Sequence, residues 1–298
     1  MNNSLNELVA WVDEPGLHMH GTAQAKVVSF LEKLSQDNQT MYTTHSPFMV
    51  DGDHLERVRI VYEAEDGTTR VSEDVWPRDK DALFPLQAGL GYQLVQSLFI
   101  AKRQLIVEGL TDYWLLKALD QALRYRSLPS LRSDAVIVPS AGISKLLPLA
   151  SMLIGHDVEV VALLDGDEPA RKEGKKLTDK LLSGNTGRCL FIGDFVENER
   201  AEREDLFPEA NYLSAVREAY GIDDLTCGPE EINIKGIVNK VEAIFKRQGR
   251  GNFEKWRPAA VLRDWIMSKP KTVPEELLQT ARRIFEAVNR GFSHSETT

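Results

Sequence analysis

Cysteine is scarce in this 298-residue sequence: Cys189 and Cys227 are the two present, without CxxC spacing or enough partners for a disulfide framework. Cross-links are therefore not expected to hold the fold, and a reducing, cytoplasmic setting is the expectation. Long apolar runs are missing too. None approaches the ~20 residues of a membrane helix, and no signal peptide is read at the start. Positive charge is in short supply, with 36 Lys and Arg against 45 Asp and Glu for a net −9. That excludes a uniformly basic surface wrapping nucleic acid. It does not exclude a metal-dependent enzyme, which gathers carboxylates and lets bound cations invert the local sign. Absent as well are internal repeats, low-complexity tracts and any GxxxxGK[ST] phosphate loop.

What remains is ordinary soluble composition, 42% hydrophobic and 27% charged, long enough for about two domains of roughly 150 residues. Residues 8–13 and 40–45 read as short strands, with helical spacing over 23–36 between them. Residues 58–73 read as a hairpin turning at Asp66-Gly67, and the stretch from Phe84 to Lys102 as a bridging helix.

From Arg103 the pattern becomes regular alternation. Strands are predicted over 103–108, 134–142, 158–165 and 188–195, and helices over 111–125, 144–155 and 170–182, with Thr111 a cap for the first. Near-continuous Val/Ile/Leu strands alternating with helices predict an α/β fold: a mainly parallel sheet covered on both faces. Beyond about Ala210 the signal is helical.

In such a sheet, functional groups collect beyond the carboxyl ends of the strands. Glu108 ends one strand, with Asp112 four positions on, while Asp165 and Asp167 flank Gly166 at the end of another. Clustered carboxylates suit magnesium or manganese. Without metal they repel, so a metal or a raised pKa has to intervene. Asp112 alone also fits a structural role at a helix N-terminus.

IVEGLTD (106–112), followed after two alternating units by LLDGDE (163–168), resembles the Toprim domain of topoisomerases, bacterial-type primases and several nucleases. That resemblance makes Glu108 an acid/base or metal-binding residue and Asp165/Asp167 a metal site. VDEPGLHMH (12–20) with TTHSP (43–47) resembles the second half of an ABC-type ATPase. It implies Asp13 as the Walker B magnesium residue, Glu14 as the water-activating base and His45 as the switch histidine. His18 and His20 are then turn residues. Because the phosphate loop is missing, Met1 is expected to begin a fragment of a longer protein. ATP hydrolysis is expected in the full-length protein only.

ABC-type ATPase followed by Toprim is the order of the OLD (overcoming lysogenization defect) nucleases, shared by Gabija-type defence nucleases. The class 2 branch, usually found beside a helicase, is favoured. The implied organisation is a partial ATPase over 1–75, a linking helix over 76–102, the Toprim domain over 103–205 and a helical region over 206–298. The implied function is two-metal cleavage of DNA with Mg²⁺ or Mn²⁺, with dimerisation through the ATPase of the whole protein. Its ligands would be Glu108, Asp112, Asp165, Asp167 and a further acid, Glu204 or Asp205, with Glu204 preferred.

Lys255 stands where OLD nucleases carry a cation for the transition state. Ser140 and Gly142 are read either as approaching metals and phosphates or as turn residues. Lys246, Arg247, Arg250, Trp256 and Arg257 are read either as phosphate contacts or as solvated surface. The run ENERAERED (197–205) would ordinarily be a solvated helix face. The alternatives are a topoisomerase- or primase-like enzyme and a non-catalytic DNA-binding ATPase scaffold.

Overall fold

A computed structural model describes residues 9–46, 49–51, 57–64, 66–72, 101–140, 142–183 and 185–292. The chain divides into two compact units, Met1–Phe99 and Ile100–Thr298. The helix expected over 84–102 lies, apart from its last two residues, outside the described residues.

In the first unit, β1 (Val9–Val12) and β2 (Gln39–Tyr42) run parallel, joined through α1 (Gly21–Leu34). Val9 faces Gln39 and Val12 faces Tyr42. The expected hairpin forms from β3 (Ile60–Glu63) and β4 (Thr69–Ser72), antiparallel, with Gly67 at φ 74 making the turn. A positive φ at that corner is why glycine follows Asp66.

The second unit is built on a four-stranded parallel sheet in the order β6–β5–β7–β8. Its elements are β5 (Arg103–Val107), α2 (Leu110–Tyr125), β6 (Ala135–Pro139), α3 (Leu146–Gly155), β7 (Glu159–Leu164), α4 (Glu168–Lys180) and β8 (Cys189–Phe191). Four helices follow: α5 (Glu209–Tyr220), α6 (Ile237–Arg247), α7 (Trp256–Ser268) and α8 (Glu275–Gly291). The α/β class and mainly parallel sheet read from the sequence are observed.

β5 is buried at every position, its apolar Leu105–Val107 as helices on both faces require, and Arg103 in ion pairs with Asp134 and Glu159. α2 packs against β6, α7 and α8, while α3 and α4 pack against β7. α4 turns its Lys-rich side outward and buries Ala170, Gly174 and Leu177. A Cβ on Gly174 would come within 2.8 Å of the Phe191 ring and 2.9 Å of Cys189 Sγ, so glycine sets the helix-to-sheet spacing there. Segments read separately as 103–205 and 206–298 share one core, from Leu105, Leu119 and Leu163 to Val241, Leu262, Phe285 and Phe292. Each fully buried side chain of this kind contributes about 1.5–3 kcal/mol relative to exposure.

Two local expectations change. Thr111 lies inside α2 and does not cap it. Gly109 is the N-cap, and its N–H donates to Asp112 Oδ2 at 2.5 Å. β8 is three residues rather than eight, because the chain bends at Ile192–Asp194 into one turn of 3-10 helix. There Gly193 lies against the Glu199 backbone so closely that a Cβ would collide with it. Among the described residues no helix is long and apolar enough to cross a membrane.

Candidate functional site

The sheet order fixes where a site can form. β5 connects to β6 on one side, whereas β7, its other neighbour, connects onward to β8. The crevice outside the carboxyl ends of β5 and β7 is therefore the topological switch point, where ligands bind in open α/β sheets. Glu108 follows β5 directly and Asp165 follows β7 directly. The Asp165 N–H donates to Glu108 Oε1 at 2.8 Å, locking the two strand ends together.

The remaining acids are brought in from three further elements. Asp112 sits in the first turn of α2, 2% exposed, accepting from Gly109 N–H and, at 3.2 Å, from the Thr111 hydroxyl. Asp167 is the N-cap of α4, its Oδ1 accepting from Ala170 N–H at 2.8 Å. Gly166 between the two aspartates donates its N–H to Ala201 O at 2.8 Å, and a Cβ there would strike the Glu199 carbonyl. Glycine is thus required for segment 199–201 to close over the turn. Arg171 fastens that closure, donating to Gly166 O at 3.0 Å and Glu199 O at 2.6 Å.

Segment 199–206 also delivers the residue that sequence reasoning missed. Of the charge run read as a solvated helix face, Glu197, Glu199 and Arg200 are exposed, but its end folds inward, with Arg203 4% exposed and Glu204 3% exposed in one 3-10 turn. Arg203 Nη2 donates to Asp165 Oδ2 at 2.9 Å, and Nε lies 2.5 Å from Asp112 Oδ1 in an ion pair without hydrogen-bond alignment. A charge run carries no mark of such pairing, because the partners lie 38 residues or more away in sequence. Arg203 offsets the desolvation of the acids, and they in turn hold its own pKa above the ordinary arginine value.

Burial dominates the electrostatics. It raises the Glu108 carboxyl, with Asp165 adding to the effect. It pushes Asp112 up to about 6 and raises Asp165, in both cases against the pull of Arg203. Glu204 is pushed up to about 7, against Arg203 and Lys255. The repulsion expected among these acids is thus answered by raised pKa values and an internal cation. Lys255 donates to Glu202 Oε2 from the position just before α7. Burial alone would lower its ammonium pKa, but Glu204 and Glu202 outweigh burial and hold it above the ordinary value.

Asp205 has a different part. Its Oδ1 accepts from Ile237 N–H at 2.7 Å, capping α6, and its Oδ2 accepts from Glu202 N–H at 3.0 Å. Ser140 and Gly142 serve the backbone. The Gly142 N–H donates to Glu108 O at 2.7 Å, and the Ser140 hydroxyl lies 3.2 Å from the same carbonyl. Arg247 is bound to Glu231 and Thr226 O, Arg250 to Asp224, and Arg257 to Glu254 while covering the Tyr220 and Trp256 rings. Lys246 is exposed.

Among the described residues, no three of His, Cys, Asp and Glu converge as a ready-made ligand set. The donor chemistry nevertheless fits a hard cation. Glu108 and Asp167 each give one oxygen to a backbone N–H and leave a second, and Asp165 Oδ1 is buried without a partner. Divalent charge would offset what burial now disfavours.

In the first unit the geometry gathers the other sequence-marked residues. Asp13 and Glu14 follow β1, and His45 follows β2. The Thr43 hydroxyl donates to Asp13 Oδ1, and His45 Nε2 lies 3.4 Å from Glu14 Oε1. Glu14 adopts φ 45, a strained value for a non-glycine residue. His18 and His20 are exposed in the turn leading to α1, with His20 its N-cap.

No protein-family model matches this chain. An uncharacterized protein of Methanocaldococcus jannaschii is 28% identical over 228 residues, covering 74% of this chain and 55% of the relative. The chain thus spans little more than half the length of the curated relative it matches.

Proposed function

We propose that this chain carries a Toprim-like, divalent-metal-dependent nuclease site that cleaves the phosphodiester backbone of DNA, as an endonuclease or nickase. The observation that carries the reading is the Glu108–Asp165 junction at the switch point of β5 and β7, with Asp167 and Lys255 supplied from neighbouring elements. Glu108, Asp165 and Asp167 would hold Mg²⁺ or Mn²⁺. When bound, such an ion polarises the scissile phosphate and lowers the pKa of an attacking water.

The protein's own groups supply the rest. Glu108 gives one oxygen to the Asp165 N–H, which fixes the carboxylate so that its second oxygen is presented for the ion. Lys255 stays cationic at neutral pH and offsets charge developing on the phosphate. Glu202 fixes its ammonium, so little reorganisation is needed at that end. In the whole protein, the Asp13, Glu14 and His45 group would belong to an ATPase that gates or dimerises the nuclease. A helicase is a proposed partner.

Supercoiled plasmid incubated with the chain in Mg²⁺, Mn²⁺, Ca²⁺ or EDTA tests this. Nicking or linearisation that needs Mg²⁺ or Mn²⁺ and is lost in Asp165→Ala and Lys255→Ala supports it. Covalently closed relaxed product points to topoisomerase chemistry.

One observation favours a second reading, a DNA-binding scaffold without metal. Arg203 already pairs with both Asp112 and Asp165, so part of the repulsion among the acids is offset without any ion. A chain that binds plasmid yet takes up no Mn²⁺ would select the scaffold.

A further inference from the structure

We propose that this site takes one divalent cation per chain rather than two, because Arg203 stands where the second would have to bind. The inference rests on the metal-dependent reading above and refines it. A second cation beside the first would bridge from Asp165 to Asp112, the pair reached from strand β7 and helix α2. That bridge is already made by the guanidinium, with Nη2 at 2.9 Å from Asp165 Oδ2 and Nε at 2.5 Å from Asp112 Oδ1.

Asp112 has no oxygen left to give. Its Oδ2 accepts from Gly109 N–H as part of the start of α2, and its Oδ1 faces Arg203 and Thr111. A magnesium or manganese ion binds carboxylate oxygens at ~2.0–2.2 Å. Placing one at Asp112 Oδ1 would bring a dication against a fixed guanidinium. Arginine cannot shed its proton to relieve that conflict. Nor is there room for an easy exit, since the Arg203 side chain is 5% exposed.

The oxygens left over form a different set. Asp165 Oδ1 is buried and unpartnered, and Glu108 and Asp167 each keep a second oxygen; an ion would have to draw these three together, since they do not converge as a ready-made set. Three carboxylate oxygens with water completing the shell suit one octahedral ion. Arg203 is then a positioning residue. It orients Asp165 so that Oδ1 stays available, and it supplies fixed positive charge where a second metal would otherwise sit.

The test counts ions rather than turnover. The full chain, stripped with EDTA and dialysed, is titrated with Mn²⁺ while free Mn²⁺ is read by electron paramagnetic resonance. One ion per wild-type chain is expected. A second ion that persists in Asp13→Ala overturns the proposal and leaves the metal-dependent reading intact, whereas none overturns both. Asp112→Asn should keep its one ion, because Asp112 faces Arg203 and not the metal. Loss of an ion there overturns the assignment. Asp165→Asn should lose the ion. Arg203→Lys should remain at one, and Arg203→Met, checked for native circular dichroism, should rise to two. A folded Arg203→Met chain that stays at one overturns the role given to Arg203.

Discussion

β1 and β2 of the first unit leave Val9, Trp11 and Met41 at 63%, 64% and 45% exposure, whereas β5 of the second is buried along its whole length. β1 pairs in parallel with β2 through α1, as β5 does with β6 through α2, and β1 and β5 each run straight into an acid. The difference is what covers them. α2, α3, α4 and α8 pack against the second sheet, with α7 packed on α2, so its strand ends are fixed from both faces and its acids are desolvated. Among the described residues of the first unit, Gln24, Leu31 and Met49 are the buried ones, and His45 is almost fully exposed. The same local grammar therefore yields a rigid, charge-perturbed centre in one unit and a solvated cluster in the other. Few buried contacts mean low local stability.

Substitutions in matched pairs sharpen that contrast. The largest effect is expected from Arg203→Met. Breaking a buried pair by removing one partner costs about 3–5 kcal/mol, because it strands Asp112 and Asp165 without their cation. Its counterpart in the first unit, Arg70→Ala, removes an exposed pair with Asp66 and should leave the thermal midpoint unmoved. Equal midpoints for the two variants would break the comparison.

Core truncation comes next. Leu119→Ala, at a site with no exposure, should cost about 2–5 kcal/mol by urea unfolding. Val71→Thr, 65% exposed on β4, should stay within about 0.5 kcal/mol. Closely similar losses would mean that the hairpin is buried in solution.

A pH series probes the desolvated acids. Glu204 titrates near 7 in the folded chain and near 4.5 as a free side chain, so folding disfavours its ionised form. Its contribution is fully present below pH 4.5, falls as pH rises toward 7 and is gone above it. The fall amounts to roughly 3 kcal/mol. Glu204→Gln should flatten that part of the stability profile, and an unchanged slope would assign it elsewhere. The smallest effect concerns the thiols. Burial pushes Cys189 up to about 11, while Cys227 is only partly covered. Iodoacetamide should label Cys227 and spare Cys189 in the native chain; equal labelling would show that the β8–α4 contact opens.

The parts of the site visible in sequence were those at strand ends. Glu108, Asp165 and Asp167 follow apolar runs directly, so the alternation that marks β5 and β7 also marks the acids after them. Asp112 was legible as a first-turn acid, and its capping bond to Gly109 is that same fact in three dimensions. Glu204 was preferred to Asp205 only by resemblance, because residue spacing does not show that neighbours in a 3-10 turn point to different sides. Glu204 faces Lys255 and Arg203, and Asp205 faces the start of α6. Arg203 carried no signal, lying in a run of charges whose ordinary fate is solvation.

By itself the sequence determined periodicity: which segments are strands, which are helices, and that acids stand where a parallel sheet places its ligands. Those features are local, written in residue spacing and in glycines such as Gly166 and Gly174. The tertiary structure alone decided how charge is balanced. The order β6–β5–β7–β8 made Glu108 and Asp165 neighbours, and the return of segment 199–206 set a guanidinium between Asp165 and Asp112. A buried charge is stable only against partners that chain topology brings to it, and no spacing along the chain records them.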